Sequence, residues 1–96
     1  MSKCTVVVSG NISNQEKVDA YKSVAGPVMK KYDAVMPPKS YTVSKIIAGQ
    51  ASPSFMLEIE FPDKDKATAA FDDFDYIAAI ADRDEGFDDL SIFIAE

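Results

Sequence analysis

Residues 55–61, FMLEIEF, alternate without a break. Phe55, Leu57, Ile59 and Phe61 point one way, while Met56, Glu58 and Glu60 point the other. Pro62 ends the run, and Asp63 is placed to cap a helix. A strand of this kind belongs to a sheet with one face against a hydrophobic layer and a second face of mixed character. Any fold for the chain has to supply both environments.

Three further segments read as strands. Residues 4–12 (CTVVVSGNI) are short and β-branched, residues 41–49 (YTVSKIIAG) follow a Pro37-Pro38 break, and residues 90–95 (LSIFIA) close the chain. Between the first two, Ser13 and Glu16 have the S-x-x-E spacing of a capping box, so a helix is expected to open at Ser13. Val18, Tyr21, Val24 or Ala25, Val28, Met29 and Tyr32 then recur along one helical face. Pro27 lies inside that helix, where it removes a backbone donor, and a kink or break is expected there. QASPS (50–54) turns the chain into the alternating strand, and KDKATAAFDDF and DYIAAIADRD follow it as helical segments.

The order is β-α-β-β-α-β, a ferredoxin-like α+β arrangement. It predicts a four-stranded antiparallel sheet with the helices on one face. With 96 residues, the chain makes one domain, 1–96. The second face would carry Val7, Met56 and Phe93 mixed with Thr5, Ser9, Asn11, Glu58, Glu60 and Ser91. That is too apolar to be merely wet and too polar for a core, so a partner sheet is expected to cover it.

Composition narrows the function. The net charge is −6, and the basic residues are scattered, with Arg83 the only arginine. This argues against nucleic acid and anionic membranes, which bind clustered Lys and Arg. No histidine is present, so a Ser-His-Asp or Cys-His pair within one chain is excluded. Cys4 is the only cysteine, which rules out an intrachain disulfide and suits a reducing compartment. The start, MSKCTVVVSGN, lacks the apolar stretch of a secretory signal, and a cytoplasmic location is expected.

FMLEIEFPDKDKATAAFDDFDYIAAIADRD resembles the signature of a bacterial family of small uncharacterised proteins. There a strand ends in Glu-Phe-Pro (here Glu60-Phe61-Pro62), followed by an alanine (Ala67), an aromatic (Phe71) and a short helix centred on a tyrosine (Tyr76). VDAYKSVAGPVMKKYDA resembles the family's first helix through Tyr21, Pro27 and Tyr32. The family is placed in the dimeric α/β-barrel superfamily, with antibiotic-biosynthesis monooxygenases, muconolactone isomerases and NIPSNAP-like proteins. The resemblance implies a homodimer whose sheets pack face to face, with a pocket between sheet and helices. Two features depart from the pattern. The histidines and tryptophan of many monooxygenase relatives are absent, and the usual glycine pair after the first helix is Asp33-Ala34.

The segment DRDEGFD places Asp82, Asp84 and Asp88 around Gly86 in the manner of a calcium loop. An EF-hand needs glycine at its sixth position and a bidentate glutamate at its twelfth. Counting from Asp82, those places hold Phe87 and Phe93, so the segment is expected to be a solvated acidic turn and no metal site is assigned. Glu60 and Glu58 are candidate catalytic bases, because a carboxylate in a partly apolar pocket has its pKa raised. The structural alternative is a pair with Lys45 or Arg83, or a place on the rim of a dimer interface. Ser9 and Asn11 share their face and are candidate ligand-binding residues, as are the hydroxyls of Tyr21 and Tyr76.

Two functional readings stand side by side. One is a small-molecule site in a homodimer, acting without a cofactor as a monooxygenase- or isomerase-type enzyme. The other is a non-catalytic dimer that binds a ligand or another protein.

Overall fold

The computed structural model describes residues 3–37 and 39–96. Four strands form one antiparallel sheet in the order β2-β3-β1-β4: β1 (Cys4–Ile12), β2 (Tyr41–Thr42), β3 (Phe55–Phe61) and β4 (Phe87–Ala95). Helix α1 (Gln15–Lys31) follows β1; α2 (Lys64–Asp72), α3 (Phe74–Ala78) and α4 (Ile80–Gly86) separate β3 from β4. The ferredoxin-like order read from the sequence is therefore present, with its second helical segment divided into three pieces.

The registers Cys4↔Phe61, Val6↔Ile59 and Val8↔Leu57 put the apolar halves of β1 and β3 on one face. Val6 is fully buried there, and Phe61 is 1% exposed, packed with Met29, Ala67, Ala70 and Tyr76. Alanines at 67 and 70 let α2 approach the sheet closely. Burying one side chain the size of Phe61 stabilises the fold by roughly 2–3 kcal/mol. Thr5, Val7 and Ser9 pair with Glu60, Glu58 and Met56 on the opposite face.

Several boundaries differ from expectation, each for a local reason. The N-cap of α1 is Asn14, whose side chain accepts from the Lys17 N–H at 3.2 Å, and not Ser13. Ser13 is drawn instead to the end of α4, where its N–H meets the Gly86 carbonyl at 2.9 Å and its hydroxyl donates to the Glu85 carbonyl at 3.2 Å. Helix α1 runs unbroken through Pro27. The preceding residue is Gly26, which has no Cβ to clash with the proline ring, and Ser23, whose carbonyl loses its donor, is exposed.

The second strand is two residues long, not nine. Thr42 pairs with Phe55 and the Val43 N–H reaches the Ser54 carbonyl at 2.9 Å, but the next partner in line is Pro53, which has no N–H to give. Ile46 and Ile47 are left exposed beyond it. At the other end, DRDEG is helical and β4 starts at Phe87, three residues earlier than the pattern suggests. A bulge accommodates the extra residues: the β1–β4 register shifts between Ser9 and Asn11, with Asp89 at φ 53°.

Candidate functional site

Between Val35 and Tyr41 the chain leaves the edge of β3. Val35 pairs with Glu60 and Tyr41 with Met56, but Leu57 and Ile59 between them face a cavity. Its volume is about 330 Å³, near the lower end of small-molecule sites. The floor is the helix-side face of the sheet, with Val8 of β1 and Leu57 and Ile59 of β3. One face of α1 forms the wall through Tyr21, Lys22, Ala25, Gly26 and Met29, residues spaced by helical turns. Met36, Pro37, Lys39 and Ser40 form the outer side, and Phe71, Phe87 and Phe55 close the ends.

At one wall an aromatic cluster carries the polar groups. The Tyr21 ring stands edge-on to both Tyr76 and Phe87, each with centroids 5.9 Å away, and Phe71 meets Tyr76 at 4.9 Å. The Tyr21 and Tyr76 hydroxyls are 2.9 Å apart, and Arg83 Nη1 donates to the Tyr76 hydroxyl at 3.1 Å. With its oxygen accepting from Arg83, Tyr76 can pass its own proton toward Tyr21, which leaves the Tyr21 O–H free to donate. Burial first, and then the neighbouring Tyr76, push the Tyr21 phenol far above its usual range. Tyr21 is thus a neutral hydrogen-bonding group at neutral pH and not a base.

The six residues singled out from the sequence fall in two places. Tyr21 lines the cavity, and Tyr76 is bonded to it. Ser9, Asn11, Glu58 and Glu60 lie on the other side of the sheet. Ser9 stands opposite Met56 and Ser91, and Asn11 Nδ2 donates to the Ser52 carbonyl at 3.1 Å, tethering the loop before β3. Glu60 pairs with neither Lys45 nor Arg83. Its partner is Lys3, just before β1, at 3.2 Å, with both side chains exposed, while Arg83 bonds to Asp84. Glu58 borders a shallow depression with Pro37, Lys39 and Tyr41.

The acidic segment is a helix surface. Asp82 and Glu85 face Lys17 at 3.7 and 3.3 Å, and no group of three metal-ligating side chains converges among the described residues. Cys4 is 2% exposed, and burial, then Glu96 and Asp63, push its thiol up, which disfavours the nucleophilic thiolate. The cavity residues missed by sequence reasoning, Lys22, Met29, Lys39 and Phe87, carry no chemical motif. The one available signal was the pairing of Tyr21 with residues one and two turns further along α1.

A four-stranded antiparallel sheet in this order, covered by helices on one face, defines a ferredoxin-like α+β protein. The chain belongs to the family described as "Domain of unknown function (DUF1330)", whose model matches residues 4–96. No curated protein matches it significantly. Among solved structures it is similar to the RPA0582 protein of unknown function from Rhodopseudomonas palustris, with 13% identity, a TM-score of 0.79, and coverage of 97% of this chain and 80% of that one. A dimeric ferredoxin-like protein of unknown function from Jannaschia sp. CCS1 is 7% identical at a TM-score of 0.73, covering 99% of both chains. A candidate antibiotic biosynthesis monooxygenase from Nitrosomonas europaea is 12% identical at 0.58, covering 97% of this chain and 88% of that one. At such identities the likeness is one of fold.

Proposed function

We propose that the protein is a homodimer that binds a small, largely apolar organic molecule in the cavity between α1 and the sheet. The observation that carries this reading is the cavity itself: about 330 Å³ and walled mainly by aliphatic and aromatic side chains, with Tyr21 among them, whose neutral hydroxyl we assign as the polar handle. The dimer is supported by the outer sheet face, where Phe93 is 53% exposed beside Val7 and Met56. It is also supported by the description of the Jannaschia relative as dimeric.

In its catalytic form the reading is a cofactor-independent enzyme of monooxygenase or isomerase type, a class suggested by the Nitrosomonas relative. Glu60 and Glu58 then serve as bases only for a molecule held between the two sheets, since both point away from the helix-side cavity. Ser9 and Asn11 would orient a ligand in that same place.

The test is a nuclear magnetic resonance titration with cinnamamide, an uncharged aromatic probe. Shifts confined to Tyr21, Met29, Leu57 and Phe87, unchanged in Glu58→Gln and Glu60→Gln, support the helix-side cavity. Shifts centred on Val7, Ser9 and Met56 would move the site to the face between the sheets.

A further inference from the structure

Resting on the reading of this cavity as a ligand site, we propose that its ligand is an organic anion, a small apolar carboxylate whose charge is met by Lys22 and Lys39. The chain has 16 acidic residues against 10 basic ones, so the charged side chains around an arbitrary hollow should be mostly carboxylates. Among the described residues lining the cavity, the charged ones are two lysines and no carboxylate. They come from separate elements, Lys22 from α1 and Lys39 from the connection before β2.

Both are exposed, and neither forms an ion pair among the described residues. Lys3, Lys17, Lys31, Lys64 and Lys66 are each taken up by a carboxylate; Lys30 and Lys45 are also unpaired among the described residues, but neither lines the cavity. Lys39 also borders the depression that holds Glu58, without a salt bridge to it. Two uncommitted cations beside an apolar cavity set the orientation of a ligand. A carboxylate is too costly to bury against Val8, Leu57 and Ile59, so the apolar body enters and the charge stays at the mouth. Lysines that line the cavity while remaining exposed can rest their stems on its apolar rim and hold their ammonium groups where that charge arrives. The low-dielectric wall behind strengthens the attraction over that of the same charges in open water.

The test compares cinnamate with cinnamamide, which have the same ring and nearly the same shape but differ in charge. Dissociation constants are measured by calorimetry on the full chain, on Lys22→Gln, on Lys39→Gln and on the double variant. Exposed lysines tolerate these changes without loss of folding. At low salt cinnamate should bind roughly five- to tenfold tighter than cinnamamide, and the two should converge at about 1 M salt, where the screening length is about 3 Å. The double variant should keep its affinity for cinnamamide and lose the preference for cinnamate. Equal affinities in the native chain, or a preference that survives the double substitution, would overturn the proposal while leaving the cavity a ligand site. Failure of both probes to bind would remove the ligand site and this assignment together.

Discussion

Tyr32, which caps the end of α1, donates its hydroxyl to Asp73 Oδ2 at 2.7 Å, and Lys31 Nζ reaches the same oxygen at 3.0 Å. The other carboxylate oxygen of Asp73 accepts from the Asp75 N–H at 2.8 Å and caps α3. One side chain, 6% exposed, thus joins the end of the first helix to the break between α2 and α3. That joint lies between Phe71, which lines the cavity, and Tyr76, which packs edge-on against it.

Asp73 should govern part of the acid response. The Tyr32 hydroxyl, then Lys31, then the Asp75 N–H hold its carboxyl at about 2, below the ordinary 3.8. A carboxyl depressed on folding contributes stability that is complete above its ordinary value and is lost as the pH falls toward its folded value. Between about pH 4 and pH 2, thermal midpoints of the native chain should therefore fall more steeply than those of Asp73→Asn. The variant should also be less stable at pH 7. Parallel curves would mean that the joint is not formed.

Tyr76→Phe removes the hydroxyl that links Tyr21 to Arg83 and leaves both without that partner. The ring is 1% exposed, and a lost hydrogen bond in such a place costs about 1–2 kcal/mol in urea unfolding. Tyr21→Phe in the folded variant should weaken cinnamamide binding, since it deletes the polar handle itself.

Gly86→Ala should destabilise by about 1–3 kcal/mol, although alanine is the better helix former. A Cβ at this position would lie 2.9 Å from both the backbone nitrogen and Cγ2 of Val18, where α4 meets α1. The comparison with Glu85→Ala, an exposed neighbour, separates this crowding from helix propensity.

Phe93→Asp places a charge at the centre of the proposed sheet-to-sheet contact, opposite Val7. Sedimentation velocity should show the native chain as a dimer and the variant as a monomer with unchanged secondary structure.

How much of this was legible in the sequence depends on what kind of signal each feature leaves. Alternation in FMLEIEF and helical spacing from Val18 to Tyr32 report burial directly, and they located β3 and α1 correctly. The length of β2 depended on a residue outside it, Pro53 in the segment leading into β3. DRDEGFD looked like a turn because its glycine and carboxylates favour one. Contact of Gly86 with Val18 and ion pairs to Lys17 make most of it helix instead. The cavity was the hardest to see. A residue such as Leu57 or Met29 has the same pattern whether it packs against a neighbour or borders a void, whereas polar residues on the other face stand out. Tyr21 and Tyr76 were the exceptions, since a phenol on an apolar helix face needs a partner for its hydroxyl.

Whether the chain is a ligand-binding dimer is decided by native mass spectrometry of gently purified protein, before and after addition of cinnamamide. The expected result is a dimer that takes up one small organic molecule per chain, with uptake lost in Ala25→Phe, whose ring would fill the cavity. A monomer, or a dimer that takes up nothing from either source, would contradict it.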